Sequence, residues 1–313
     1  MMRFNLFHNL PSWYKFLFSL FVIFSFMIIS SLLAVFTAIP LFHLTVNEAL
    51  NYILKGINIK DVPLLKYLQA FQSAGTFLLP ALLLAWLFHG DTFSYLKINK
   101  PVYIGSLLIA AISIILAIPV INFSGYLNSL IRIPGSMSGL EHTIQKMQDS
   151  YTEVITSFLH VSTPGGYLIN LFVIAALPAL CEEFLFRGVL QKIFIEWTRN
   201  IPVGIMITAL IFSIFHFQFY GLIPRFLLGV YLGYLLIWSN TLWLPITAHF
   251  VNNAFAISFY FFANQAPDRS WVDKVGTAEG NPEWLIPSLV LFIVTATFIY
   301  YLEKNRQVKS QRL

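Results

Sequence analysis

Long apolar runs separated by short polar clusters set the pattern of this chain. Eight runs stand out, at 16–42, 67–89, 102–123, 167–190, 201–219, 221–238, 241–263 and 284–302. A helix needs about 20 mostly apolar residues to cross a bilayer. In lipid every backbone polar group must be satisfied internally, so only helices and closed barrels span. Barrel strands would alternate apolar and polar positions over about ten residues, and these runs are unbroken instead. The pattern therefore predicts an all-α, polytopic transmembrane bundle of about eight spans. Runs five to seven are joined by very short connections and are expected to form an antiparallel series. Residues 147–159 read as an amphipathic helix in the longest loop. Such a helix lies on the membrane surface or packs on the bundle as a connector; the sequence leaves both open.

Composition strengthens this picture. Of 313 residues, 58% are hydrophobic and 11% charged. Soluble domains carry about a quarter charged residues, so an ordinary soluble enzyme and a disordered chain are both excluded. The net charge of +5 comes from 19 basic residues interspersed with 14 acidic ones. No basic stripe forms, so nucleic acid is not an expected partner. The lone cysteine, Cys181, excludes an internal disulfide and a Cys-cluster metal site. It reads as an inert core residue.

The basic residues speak to orientation. Arg3, Lys15, Lys97, Lys100, Lys192, Arg199, Lys304, Arg306, Lys309 and Arg312 fall on one side of an eight-span arrangement. Lys55, Lys60, Lys66, Arg132, Lys146, Arg269 and Lys274 fall on the other, spread over longer loops. Cytoplasmic loops are enriched in Lys and Arg, so both termini are expected in the cytoplasm. The first run is too long for a signal-peptide core of about 7–15 residues and reads as a signal anchor.

Ionisable side chains inside spans are costly and usually functional. Run four carries Glu182, Glu183 and Arg187, run five His216, run six Arg225, and run seven His249 beside Asn252 and Asn253. Glu183 and Arg187 are four apart and share a helix face. Glu182 then points about 100° away, toward other partners. Carboxylates in such surroundings serve as general bases, and a structural ion pair is the alternative. Neutral His binds metal or accepts a proton, and Asn donates to a developing oxyanion. Arg225 sits near a span end and is expected to snorkel to the interface. Pro178 and Pro245, each four residues before a motif residue, are expected to kink their helices.

These residues resemble the three motifs of the CAAX-protease and bacteriocin-processing family (CPBP, or Abi), which includes the type II CAAX prenyl endopeptidases. The first motif reads Glu182-Glu183-Phe-Leu-Phe-Arg187, the second pairs Phe212 with His216, and the third pairs His249 with Asn253. The resemblance divides the chain into an N-terminal part, 1–165, a CPBP-like catalytic core, 166–263, and a last span with basic tail, 264–313. It implies an intramembrane endopeptidase in which Glu182 and His216 activate water. Glu183, held by Arg187, would assist, while His249 and Asn253 would serve the oxyanion. Glu182, His216 and His249 also offer a Zn²⁺ set, and a metal-free glutamate mechanism uses the same residues; the sequence leaves both open. The implied partners are a membrane-associated or lipidated peptide or protein and the bilayer itself, in a bacterial cytoplasmic membrane. Two competing readings remain: a proton-coupled transporter, against which stands the lack of an inverted repeat, and a non-catalytic membrane partner.

Overall fold

Helix and short turns account for all regular structure in the computed structural model, which describes residues 7, 9–55, 61–263 and 271–310. Thirteen helices are named in chain order. They are α1 (Ser12–Leu41), α2 (Val46–Lys55), α3 (Val62–His89), α4 (Thr92–Leu96), α5 (Ile104–Leu116), α6 (Ile118–Ser129) and α7 (Ser138–Leu159). They continue with α8 (Pro164–Thr198), α9 (Ile201–Ile214), α10 (Leu222–Ser239), α11 (Trp243–Phe262), α12 (Trp271–Lys274) and α13 (Leu285–Ser310). No strand occurs among the described residues. Arg3, Lys60, Arg269 and Arg312, used in the orientation argument, lie outside them.

Local sequence sets the helix starts. Asn200 Oδ1 accepts from the Val203 N–H at 3.1 Å and opens α9, with Pro202 in its first turn. Thr163 Oγ1 accepts from the Gly166 N–H at 3.1 Å and opens α8, with Pro164 behind it. Both devices satisfy or remove N–H groups that a helix start leaves orphaned.

Five helices, α1, α3, α8, α10 and α13, are long and apolar enough to cross a membrane. The third run is bent by 44° between α5 and α6, and counting that pair gives six. The other two runs fall short for stated reasons. Helix α9 has 14 residues, about 21 Å at 1.5 Å per residue, against a hydrocarbon core of about 30 Å. It ends at Ile214, five residues before the end of its run, because Phe217 adopts φ +52° and turns the chain. Helix α11 is long enough but carries His249, Asn252 and Asn253. The expected kink at Pro245 is absent: α11 starts at Trp243, so Pro245 sits in its first turn, where no donor is missed.

The central element is α8. Half of its apolar window is buried, against 22% for α1 and 11% for α13. It packs against α3, α9, α10 and α11. Helices α1 and α13 turn large apolar side chains outward, such as Phe21, Phe36 and Ile286, as a lipid-facing surface requires.

One face of the bundle gathers the basic helix ends. Lys15 pairs with Glu196 at 3.0 Å, joining the start of α1 to the end of α8. Gln307 Nε2 donates to the Trp238 carbonyl at 2.7 Å, and Ser106 Oγ donates to Glu303. Lys97 and Lys304 lie on the same face, the former accepting through its carbonyl from Thr241.

Gly204 lets α8 and α9 approach. A Cβ there would lie 2.7 and 2.8 Å from the backbone N and Cα of Ile195, which cannot yield. Gly204→Ala is expected to destabilise the protein by about 1–3 kcal/mol, the usual cost of overpacking. A melting curve of the detergent-solubilised protein checks this, and an unchanged midpoint would contradict it.

Candidate active site

The site is built on the middle of α8, whose backbone is irregular on both sides of it. Wider π turns span Leu171–Ala176 and Phe186–Leu190 and bracket the helical segment Leu177–Leu185. The first has an identifiable cause. Pro178 has no N–H to offer the Ile174 carbonyl four residues back. Asn253 Nδ2 approaches that carbonyl at 3.4 Å, and Asn252 Nδ2 donates to Asn253 Oδ1 at 3.1 Å. The proline expected to kink α8 thus leaves an acceptor that one motif residue on α11 occupies.

Glu183 and Arg187 are both fully buried. Arg187 Nη1 donates to Glu183 Oε1 at 2.6 Å and Nη2 to the Gly229 carbonyl of α10 at 3.2 Å. Its guanidinium carbon lies 4.4 Å from the centre of the Phe212 ring, a cation–π contact. The same Glu183 Oε1 meets His249 Nδ1 at 2.9 Å. A carboxylate beside a guanidinium only accepts, so the network assigns the His249 proton to Nδ1. The Nε2 lone pair then faces the other way.

What it faces is Glu182. Glu182 Oε2 lies 3.9 Å from His249 Nε2 and 3.9 Å from His216 Nε2. It is buried and accepts no hydrogen bond. His216 stands just past the end of α9, and its Nδ1 donates to the Phe212 carbonyl at 2.8 Å. Its Nε2 is therefore also an acceptor. Three acceptor atoms converge, and only a donor or a cation placed between them satisfies all three. Separations beyond 3.5 Å are those bridged by water.

The donors suit zinc in kind, two imidazole nitrogens and a carboxylate oxygen, with Glu183 behind one imidazole. Their spacing does not. Ligands about 2.0–2.1 Å from a tetrahedral ion lie about 3.3 Å apart. Among the described residues no group of three His, Cys, Asp or Glu is close enough to hold a metal ion. The residues as placed do not fit one.

Glu182, His216, His249 and Asn253 line one cavity of about 470 Å³. Its wall is completed by Tyr151 and Phe158 of α7, so the amphipathic helix packs over the site. Asn170 Nδ2 holds the end of α7 through the Phe158 carbonyl at 2.7 Å. The lining comes from α7, Ile174 to Glu182 of α8, the end of α9, the first turns of α10, the middle and later part of α11 and Gln69 of α3, away from the ends of α8 and α10 that reach the basic face. Cys181 is buried and does not line the cavity.

Arg225 is a correction. Its side chain lines the cavity, and its Nη2 donates to Gln218 Oε1. The reason is Gly221. A side chain there would collide with the guanidinium, so the missing Cβ is what lets Arg225 fold back. The spacing of four between Gly221 and Arg225 was the signal available in the sequence. The sequence marks Asn252 only as a neighbour of His249, and the α7 residues only as an amphipathic helix, so neither is placed at the cavity by it.

Residues 164–255 match the family described as Type II CAAX prenyl endopeptidase Rce1-like. A Bacillus subtilis (strain 168) protein named "Uncharacterized protein YpbD" is 32% identical over 108 residues, which cover 30% of this chain and 52% of that protein. The chain thus spans about half the length of that relative. No solved structure matches the chain. All seven motif side chains, from Glu182 to Asn253, fall inside the matched segment. That segment is the part of the chain that is similar to the type II CAAX prenyl endopeptidases.

Proposed function

We propose that this protein is an intramembrane endopeptidase that hydrolyses a peptide bond of a membrane-associated or lipidated, CAAX-like protein or peptide. The observation that carries the reading is Glu182 Oε2, buried without a hydrogen bond and 3.9 Å from Nε2 of two histidines. Water lying between Glu182 Oε2 and His216 Nε2 donates one hydrogen bond to each. As its oxygen attacks the scissile carbonyl carbon, one proton passes to Glu182 and the carbonyl π pair moves onto oxygen. Asn253 Nδ2 has two hydrogens, one of them directed at Ile174, and gives the other to that oxyanion. His249 joins the same oxyanion once its Nε2 has taken up a proton from water in the cavity, and Glu183 stabilises the resulting imidazolium from the Nδ1 side. When the C–N bond breaks, the leaving nitrogen takes the proton from Glu182. No step requires a metal.

The setting proposed is a bacterial cytoplasmic membrane with both termini in the cytoplasm, supported by the basic residues on one face. In that orientation the cavity lies toward the outer half of the bilayer.

Several outcomes follow for the purified protein with membrane peptides, or for the membrane proteome of cells expressing it. Glu182→Ala and His216→Ala are each expected to lower cleavage by about 10²–10⁴-fold. Asn253→Ala is expected to lower it by about 10²–10³-fold. Undiminished cleavage by Glu182→Ala sinks the assignment, and proton-coupled flux into vesicles without cleavage would favour a transporter. Chelator-treated protein is expected to keep its rate; loss restored by zinc would make the three acceptors ligands.

Arg187→Met leaves the Glu183 charge buried without its partner. Breaking such a pair costs about 3–5 kcal/mol. The variant is expected to melt well below the parent or to fail to accumulate in membranes, whereas near-parental melting would show that His249 alone compensates Glu183.

A further inference from the structure

Glu196 stands four residues after Lys192 on α8, the spacing at which a helix pairs opposite charges. It does not serve Lys192. Both of its oxygens accept from Lys15 Nζ of α1 instead, at 3.0 and 3.1 Å. Asp91, at the start of α4, is engaged in capping that helix, accepting from the Ser94 N–H at 3.1 Å and the Ser94 hydroxyl at 2.7 Å. Among the described residues no carboxylate lies within ion-pair distance of Lys192, Lys97 or Lys100.

What holds Lys192 is aromatic. Its Nζ lies 4.2 Å from the centre of the Tyr95 ring, a cation–π contact that fixes the ammonium without neutralising it. Gly188 brings that ring close. A Cβ there would meet Leu96 Cδ2 at 2.6 Å, so its absence lets α4 lie on α8. Lys97 ends α4 with φ +57°. Its carbonyl accepts from Thr241 Oγ1 at 3.3 Å, and the Ile98 carbonyl accepts from Trp243 Nε1 at 3.0 Å, which ties this turn to the start of α11. Lys97 is half-buried, and burial together with the charge of Lys100 pushes its pKa below the usual lysine value. Lys97 and Lys192 also repel each other. The fold thus holds two like charges together with no acid between them, an arrangement that a shared anion relieves. Lysine binds phosphate in this way, as a point charge.

The surroundings say which anion. Trp13 at the start of α1, Trp197 at the end of α8 and Trp243 at the start of α11 are all exposed on this face. Exposed tryptophans at helix ends mark the headgroup level of a bilayer. The site is also separate from the candidate active site. Neither Tyr95 nor any of the three lysines lines that cavity, and Lys192 follows Glu182 by ten residues, about 15 Å along a helix.

We propose that Lys97 and Lys192 bind one phosphate oxyanion, with Lys100 at its rim, and that this oxyanion is the headgroup of an anionic phospholipid in the leaflet on the basic face. Inorganic phosphate shares that chemistry, and the test separates the two sources. The site does not depend on the peptidase reading.

Native mass spectrometry of the full-length protein, titrated in detergent micelles with phosphatidylglycerol or with phosphatidylcholine of the same acyl chains, reads the affinity for the first bound lipid. The anionic lipid is expected to bind about fivefold tighter for each of the two lysines, about 25-fold in all. Lys97→Gln with Lys192→Gln should bring that ratio close to one. Lys304→Gln with Lys309→Gln removes the same charge from the same face and should leave the ratio unchanged, which separates a built site from a diffuse positive surface. Melting in phosphatidylcholine micelles checks that each variant is folded. If the first pair fails to accumulate, Lys97→Gln with Lys100→Gln, both outside the helices, carries the test and should lose at least fivefold. Equal binding of the two lipids by the parent removes the headgroup. If inorganic phosphate alone then raises the melting point of the parent and not of the Lys97, Lys192 double variant, the oxyanion site stands with a free ion as its ligand. Neither effect, a preference untouched by the double variant, or one lost equally in the Lys304, Lys309 control would overturn the proposal.

Discussion

One carboxylate oxygen, Glu183 Oε1, accepts a hydrogen bond from Arg187 on its own helix and another from His249 on α11. Through Arg187 the same group reaches the backbone of α10 and the ring of Phe212 on α9. Four helices therefore meet at one buried charge pair. In a medium without water to solvate them, these charges hold together only if every partner arrives in position. The pair also decides chemistry one residue away. By taking the Nδ1 proton of His249, Glu183 directs the Nε2 lone pair toward Glu182. The two adjacent glutamates thus divide their work by the 100° between them, one locked into the bundle and one left facing the cavity.

The irregular backbone is concentrated at this place for a physical reason. Helix ends and breaks expose carbonyl and N–H groups, and lipid offers them no partner. They are tolerated where side chains or a cavity receive them. Asn128 does this at the end of α9, giving its Nδ2 to the Phe219 carbonyl at 3.0 Å and taking the Ile223 N–H on Oδ1 at 2.8 Å. Ser213 donates to the Leu222 carbonyl at 2.6 Å across the same break. With these groups satisfied, the chain stops short of the far face and leaves His216 at the edge of the cavity instead of on a continuous helix.

The eight apolar runs were legible because lipid imposes one period-free requirement, enough apolar length, and each run does become helix. The Glu183–Arg187 pair was legible because a spacing of four is a local rule. The convergence of Glu182, His216 and His249 was suggested by their order along the chain; their spacing depends on how α8, α9 and α11 cross, which no local rule supplies. The early end of α9 was hidden because Phe215 and Phe217 continue the apolar run while Phe217 takes a left-handed backbone. Pro245 misled for the opposite reason: its effect depends on where the helix starts, and Leu242 and Trp243 give no capping signal. Arg225 was read by its nearness to a span end, yet its direction is set by Gly221 and Gln218.

With charge so scarce at this depth, each ionised group must be answered, and the answers sort the groups by role. The Glu183–Arg187 pair neutralises itself, and its contribution is geometry. Glu182 and Arg225 line the same cavity and find no such closure within the protein. They carry opposite sign and lie outside ion-pair distance of each other, so neither cancels the other.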